Sequence, residues 1–148
     1  MVFIIRFDNK EGKKYMTNLV VVTKKWGRNF TGATLATQYF IEKWHNIFNS
    51  IHIFTLEEGE YAKLDNVKVK KLLNTKELLK EIAEYKKNNL NAQILGYSDD
   101  HLGYILKKMD IKYVHTYHGN WPDARWINFD FFLKSFYFMH LYKKTIKN

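Results

Sequence analysis

The chain has 148 residues, 46% hydrophobic and 26% charged, a composition typical of one globular domain and not of a disordered chain. It contains no cysteine, which excludes disulfides and thiolate metal sites, and no apolar run reaches the roughly 18 residues of a transmembrane helix. The net charge of +9 predicts attraction to a membrane surface, nucleic acid or a phosphorylated ligand, although the lysines are scattered as on an ordinary solvated surface.

The first fifteen residues differ from those that follow. Met1–Phe7 has the composition of a short strand, but a polar, turn-like run separates it from Met16. We expect residues 1–15 to be an N-terminal extension or an edge strand. Residues 16–148 contain no repeat, low-complexity segment or linker, and we expect them to form a single domain.

Alternating strand and helix patterns follow Met16. Runs of β-branched and aromatic residues predict strands at Leu19–Thr23, Ser50–Leu56, Val67–Leu73 and Ala92–Tyr97, and a fifth strand that starts near Ile111. Helical periodicity predicts helices at Ala33–Phe48, Thr75–Leu90, Leu102–Met109 and Asp123–Lys147. This order predicts an α/β, Rossmann-like fold with a mostly parallel sheet and helices on both faces.

Three of the predicted helices have candidate N-terminal caps. Thr31 is suited to cap the first helix, Thr75 the second, and Asp99 or Ser98 the third. The apolar stripe that indicates the inner side of the first helix comprises Leu35, Ala36, Tyr39, Phe40, Lys43 or Trp44, and Ile47. The last helix is apolar almost all round, so we expect it to keep an apolar face for a partner.

Polar loops leave the carboxyl ends of the first, fourth and fifth strands. In an open α/β sheet, ligands bind outside the carboxyl ends of the strands. The loops Trp26–Gly32, Ser98–His101 and His118–Arg125 carry hydrogen-bonding groups at Arg28, Thr31, Asp99, Asp100, His101, His118, Asn120 and Asp123. Trp26 and Trp121 would add flat apolar platforms. The combination predicts a site for a polyhydroxylated or phosphorylated ligand.

Other kinds of site have little support in the sequence. The positions of His115 and His118 differ by three, an odd number, so in a regular strand these side chains would point to opposite faces. No His-x-x-x-His or carboxylate pair completes a metal site. We therefore expect neither a metal nor a cofactor. The chain also contains no Gly-x-Ser-x-Gly elbow, no P-loop and no Gly-x-Gly-x-x-Gly fingerprint.

Two segments carry a resemblance to a known family. Asn18–Thr23 leads into a loop that contains Gly27 and Thr31-Gly32-Ala33, and the later segment Tyr113–Gly119 has the form Val-x-Thr-x-His-Gly. From about Met16 onwards the chain resembles the amino-terminal, acceptor-side domain of a family 4, retaining, GT-B-fold glycosyltransferase. In that family a glycine-rich loop follows the first strand, and the histidine of the later strand faces the interdomain cleft. Thr31-Gly32 replaces the family's usual double glycine.

The resemblance implies roles for particular residues. His118 would be catalytic. The His118 side chain and the Gly119 backbone would contact the transferring sugar or the acceptor. Gly32 and its neighbours would contact the diphosphate or the acceptor. The substrate-binding residues implied in this way, together with those of the predicted loops, are Gly27, Arg28, Thr31, Gly32, Asp99, His101, Gly119, Asn120 and Trp121. Enzymes of this family need no metal.

The resemblance also implies partners and a location. Family members carry a second, carboxyl-terminal half that holds the nucleotide-sugar. The sequence ends at Asn148 before such a half, so we expect a truncated or separately encoded acceptor half, inactive alone, that would transfer a sugar to a bacterial-type glycan, lipid or protein. The expected location is cytoplasmic, with peripheral attachment to the inner face of the membrane.

Two alternatives to a transferase remain open. The first is a basic nucleic-acid-binding domain, suggested by the charge of +9 and the 17% aromatic content, although no helix-turn-helix, RNP or finger motif is present. The second is a non-catalytic interaction module derived from a transferase fold.

Overall fold

The computed structural model describes residues 17–30, 32–116 and 129–146. The strands are β1 (Thr17–Trp26), β2 (Ser50–Glu58), β3 (Val67–Lys71), β4 (Gln93–Ser98) and β5 (Tyr113–His115). The α-helices are α1 (Gly32–Trp44), α2 (Thr75–Asn88), α3 (Tyr104–Lys108) and α4 (Phe129–Ile146), and single 3-10 turns occupy His45–Ile47 and His101–Gly103. None of the helices in these ranges is long and apolar enough to cross a membrane.

The five strands form one sheet in the order β3-β2-β1-β4-β5, and every neighbouring pair is parallel. Val20 at the centre of β1 is level with His52 of β2 on one side and Gly96 of β4 on the other. The α/β, Rossmann-like fold expected from the sequence is therefore confirmed, with a sheet that is parallel throughout.

The central strand is buried because helices cover both faces of the sheet. Val20 and Val22 of β1 are fully buried and belong to one apolar cluster with Leu78 and Ile82 of α2. Val21 points to the opposite face and, with Leu19, belongs to a second cluster with Ile41 of α1. A continuous β-branched run is the pattern that such a doubly covered parallel strand requires.

The first strand extends beyond its predicted end at Thr23. Lys24, Lys25 and Trp26 continue β1, and Lys25 and Trp26 are paired with Glu57 and Glu58 of β2. The Nζ atoms of Lys24 and Lys25 lie 3.8 and 3.5 Å from Glu57 carboxylate oxygens. The predicted platform role of Trp26 is wrong, because this side chain is 3% exposed and belongs to the core.

Two capping predictions are also wrong. Asn74, and not Thr75, caps α2, since its side-chain oxygen accepts hydrogen bonds of 3.0 and 3.1 Å from the amides of Lys76 and Glu77. Asp100, and neither Asp99 nor Ser98, caps the turn that leads into α3. In both places the capping residue adopts extended backbone angles, as an N-cap must.

The inner face of α1 is more polar than expected. Its buried residues are Thr34, Thr37, Gln38 and Ile41. The predicted inner residues Tyr39 and Trp44 are 64% and 44% exposed. The helix therefore presents the hydroxyl groups of Thr34 and Thr37 to the interior, beside the apolar side chain of Ile41.

The last helix packs against the segment that follows β4. Thr145 of α4 is 2% exposed and lies against Gly103, where an added Cβ would come within 2.6 Å of the Thr145 methyl group. The Tyr113 hydroxyl on β5 donates a hydrogen bond to the Thr145 carbonyl. The close approach of α4 thus depends on residue 103 being glycine, which has no Cβ.

Candidate functional site

A crevice lies at the point in the sheet where the order in which strands are added changes direction, between β1 and β4. β1 connects to β2 on one side of it, and β4, paired with β1 on the other side, connects to β5, so the segments that follow β1 and β4 leave the sheet in opposite directions. This switch point is where open α/β sheets bind ligands. The crevice has a volume of about 200 Å³ and is lined by Thr23, Lys24, Lys25, Ala33, Thr34, Asp99, Asp100, His101, Phe138 and Tyr142.

Asp100 joins the two strands that border the crevice. One oxygen of its carboxylate accepts a hydrogen bond from the backbone N–H of Lys24 on β1. The other oxygen accepts a 2.7 Å hydrogen bond from the backbone N–H of Leu102. Both bonds are made by main-chain groups, so the carboxylate fixes the positions of the two chain segments relative to each other.

Asp99 connects the same loop to the first helix. The residue is 5% exposed, and its carboxylate accepts a 2.7 Å hydrogen bond from the hydroxyl of Thr37. Thr37 is fully buried on the polar side of α1. The two consecutive carboxylates therefore hold β1, β4 and α1 together at the base of the site.

The electrostatics of this loop favour protonation of Asp100. Burial, followed by the neighbouring negative charge of Asp99, raises the pKa of Asp100 to about 7. The two backbone hydrogen bonds and the charge of Lys24 act in the opposite direction and do not cancel these effects. A carboxyl group with a pKa near neutrality can exchange a proton with a bound ligand under physiological conditions.

His101 is neutral at the same pH. Burial, with a smaller contribution from the charge of Lys24, lowers the pKa of this imidazole to about 4. Its ring meets the ring of Phe138 from α4 edge to face, with centroids 5.0 Å apart. A neutral imidazole can both donate and accept a hydrogen bond, and so suits an uncharged hydroxyl group.

Some predicted site residues lie at the crevice and others do not. Asp99, Asp100 and His101 line it. Arg28 is turned toward α1, where its guanidinium lies 3.1 Å from a Glu42 carboxylate oxygen. Gly32 begins α1, but a Cβ added there would meet nothing within 4 Å, so a close contact does not require glycine.

Gly27 has a structural reason to be glycine. Its φ of +130° lies in the region that other residues rarely adopt, and an added Cβ would lie 2.7 Å from the backbone of Gly59. The Gly59 amide also donates a 2.7 Å hydrogen bond to the Trp26 carbonyl. Gly27 therefore packs against the segment after β2, and it is not among the residues that line the crevice.

The remaining predictions fall on parts of the chain outside the described ranges. They are the cap and binding residue Thr31, the proposed catalytic His118, and the proposed binding residues Gly119, Asn120 and Trp121. Trp121 as a platform, Asp123 and the extension at residues 1–15 also lie outside those ranges.

Several lining residues were missed by the sequence analysis. Thr23, Lys24 and Thr34 come from β1 and α1, and Phe138 and Tyr142 come from α4. Thr34 and Thr37 occupy consecutive turns of one helix that follows a glycine-containing loop. This polar pair could have indicated a site, but the helix was interpreted from the spacing of its apolar residues alone. Phe138 and Tyr142 are four residues apart within a largely aromatic helix, so nothing local distinguished them.

The described ranges contain no group of three or more histidine and acidic side chains that could hold a metal ion. Comparison of the chain with protein-family models, with curated proteins and with solved structures found no match. The comparisons therefore bear neither for nor against the resemblance to glycosyltransferases, and the crevice itself carries the functional argument.

Proposed function

We propose that this chain is the acceptor-binding half of a retaining glycosyltransferase that transfers a sugar from a nucleotide-sugar to a glycan, lipid or protein acceptor. The observation that carries the proposal is the crevice between β1 and β4. Carboxylates, hydroxyls and a neutral imidazole meet there beside the aromatic side chains of α4. Hydrogen-bond donors and acceptors next to flat apolar rings are suited to a polyhydroxylated molecule.

The protonation states favour an uncharged acceptor hydroxyl. His101, with its pKa near 4, is available as a neutral hydrogen-bonding group. Asp100, with its pKa near 7, is able to accept a proton from a hydroxyl group as that group reacts. His118 remains the proposed catalytic residue on the strength of the resemblance.

Transfer would require a donor-binding half, on the same polypeptide or another. Holding donor and acceptor together supplies a large part of the catalysis in such a reaction. We therefore propose that these 148 residues bind an acceptor but do not transfer sugar alone. A cytoplasmic location at the periphery of the inner membrane face is part of this proposal.

Saccharide binding to the crevice tests the proposal directly. Saturation-transfer NMR would be recorded with methyl α-glucoside, methyl α-mannoside and N-acetylglucosamine. Ala33→Leu would fill the crevice, since Ala33 lines it. The matched control is Ala36→Leu on the same helix, at an exposed position outside the lining. We expect at least one saccharide to bind and Ala33→Leu alone to abolish the signal.

Absence of binding by all three sugars, or equal loss in both variants, would overturn the crevice assignment. The nucleic-acid alternative is tested in parallel with a generic oligonucleotide at increasing salt. Tight, strongly salt-dependent binding to it without saccharide binding would favour that alternative. With a donor half supplied, His118→Ala should sharply lower turnover and leave the unfolding transition unchanged.

A further inference from the structure

Helix α4 uses one narrow stripe for its contact with the rest of the domain. The buried residues are Ser135, Leu141, Tyr142 and Thr145. These positions lie on one side of a helix. They contact the 3-10 turn at His101–Gly103 and helix α3. On the opposite side of this 18-residue helix, most of the residues whose exposure the structure describes are exposed.

The uncovered side is apolar over its first half. Phe129, Leu133, Phe136 and Tyr137 are 72%, 53%, 57% and 61% exposed, and their spacing of four, three and one residues places them on one face. The partly buried Phe132 joins them, with its ring centroid 5.0 Å from that of Phe136. These five residues form the aromatic patch.

The second half of the same side is basic. His140, Lys143 and Lys144 are exposed there, and Lys134 is exposed beside the aromatic patch. Within the described ranges none of these three lysines has a carboxylate within ion-pair distance. Asp130 is the one acidic residue of α4, so the helix carries three lysines against a single aspartate.

We propose that this face of α4 docks on an anionic lipid surface. The apolar side chains of the aromatic patch enter the boundary between headgroups and acyl chains, and Lys143 and Lys144 contact lipid phosphates about 22 Å farther along the helix from Phe129. The excess of positive charge favours an anionic lipid surface over a second copy of the chain, which carries the same net charge of +9. The inference specifies the membrane location included in the proposed function and does not depend on sugar transfer.

Vesicle sedimentation of the purified full chain tests this proposal. Vesicles of phosphatidylcholine alone are compared with vesicles that also contain phosphatidylglycerol, at low and moderate salt. We expect binding to the anionic vesicles that weakens with salt and little binding to the neutral ones. Lys143→Gln and Lys144→Gln should each weaken anionic binding roughly fivefold, because each basic residue near such a surface contributes about 1 kcal/mol.

Two matched controls use other parts of the surface. Lys107→Gln and Lys108→Gln change another exposed doublet and should leave vesicle binding unchanged. Leu133→Gln with Phe136→Gln should abolish binding, whereas Leu73→Gln with Leu90→Gln should not, although Leu73 and Leu90 are 84% and 77% exposed. Thermal unfolding followed by circular dichroism checks that all variants fold.

Failure of this proposal is distinguishable from failure of the proposed function. Equal partitioning onto neutral and anionic vesicles, no partitioning, or the same loss in the control variants would overturn the lipid assignment. Self-association in sedimentation velocity that Leu133→Gln abolishes would assign the face to a second copy instead. Saccharide binding in the crevice is measured without vesicles, and Ala33→Leu should bind vesicles as the unchanged chain does.

Discussion

The hydroxyl of Thr37 donates a 2.7 Å hydrogen bond to the carboxylate of Asp99, which lies 62 positions later in the chain. Both residues are buried, and the bond joins the first helix to the loop after the fourth strand. A carboxylate in this position is stabilised by each donor that it keeps, since hydrogen bonds to charged groups are worth more than those between neutral groups.

We therefore expect Thr37→Val to destabilise the domain by about 1–3 kcal/mol, because the variant keeps the shape of the side chain and removes the donor. Urea unfolding measures the loss. The matched control is Thr17→Val, whose hydroxyl donates a 3.1 Å bond to the neutral Gln93 at the other end of the sheet. A control that costs as much as Thr37→Val would contradict a special role for the Asp99 contact.

Asp100 and His101 should give opposite dependences of stability on pH. The pKa of Asp100 is raised from 3.8 to about 7, so its contribution to stability is fully present below pH 3.8 and is lost as the pH rises through 7. The pKa of His101 is lowered from 6.5 to about 4, so its contribution is present above pH 6.5 and is lost as the pH falls through 4.

Between about pH 4 and 6.5 the two residues should change the free energy of unfolding with pH in opposite directions, each by about 1.4 kcal/mol per pH unit, so that the two changes nearly cancel. Measured by urea unfolding across this range, Asp100→Asn should gain stability with rising pH relative to the unchanged chain, and His101→Gln should lose it. Parallel curves for the two variants would contradict the opposite signs. Asp110→Asn provides a control on an acidic residue outside the crevice.

Gly27 should be much less tolerant of substitution than Gly32. Gly27→Ala would place a Cβ 2.7 Å from the Gly59 backbone at a φ of +130°, and we expect a loss of about 1–3 kcal/mol. Gly32→Ala meets nothing within 4 Å and should be neutral or stabilising by up to about 1 kcal/mol. Thermal unfolding of both variants makes the comparison, and similar losses would refute the packing argument.

The attachment of α4 should depend on Gly103 and Thr145 together. Gly103→Ala would bring a Cβ within 2.6 Å of the Thr145 Cγ2 atom, and overpacking of this kind costs about 1–3 kcal/mol. We expect hydrogen exchange to accelerate in α4 before it does in β1. Thr145→Ser removes that methyl group and should restore part of the stability of Gly103→Ala. A double variant whose loss is simply the sum of the single losses would show that the two residues do not interact.

The fold could be predicted because its signals are local. The run Leu19–Val22 is continuously apolar and contains three valines, the composition of a strand that is buried on both faces of a parallel sheet. The alternation of such runs with helical patterns then leaves few arrangements. The ends of the elements were less predictable. Lys24 and Lys25 have little preference for a strand, but pairing with β2 and the nearby Glu57 keeps them in β1.

The site could be predicted only in part, for a related reason. The rule that ligands bind at the carboxyl ends of strands located Asp99 and His101. It did not show that Asp100 caps a turn, because neighbouring carboxylates look equivalent in a sequence. Gly27 was assigned to a ligand, whereas its neighbour is Gly59, 32 residues away, and a contact of that kind leaves no local pattern.

The two contacts that define the crevice, Lys24 with Asp100 and Thr37 with Asp99, join residues 76 and 62 positions apart. Contacts so distant in sequence carry a large entropic cost of loop closure, which other native contacts must offset. During synthesis, β1 and α1 emerge long before the carboxylates that they require. The crevice should accordingly appear together with the pairing of β1 and β4, which spans the same distance in sequence, and a ligand that binds it would act only on chains that have already folded.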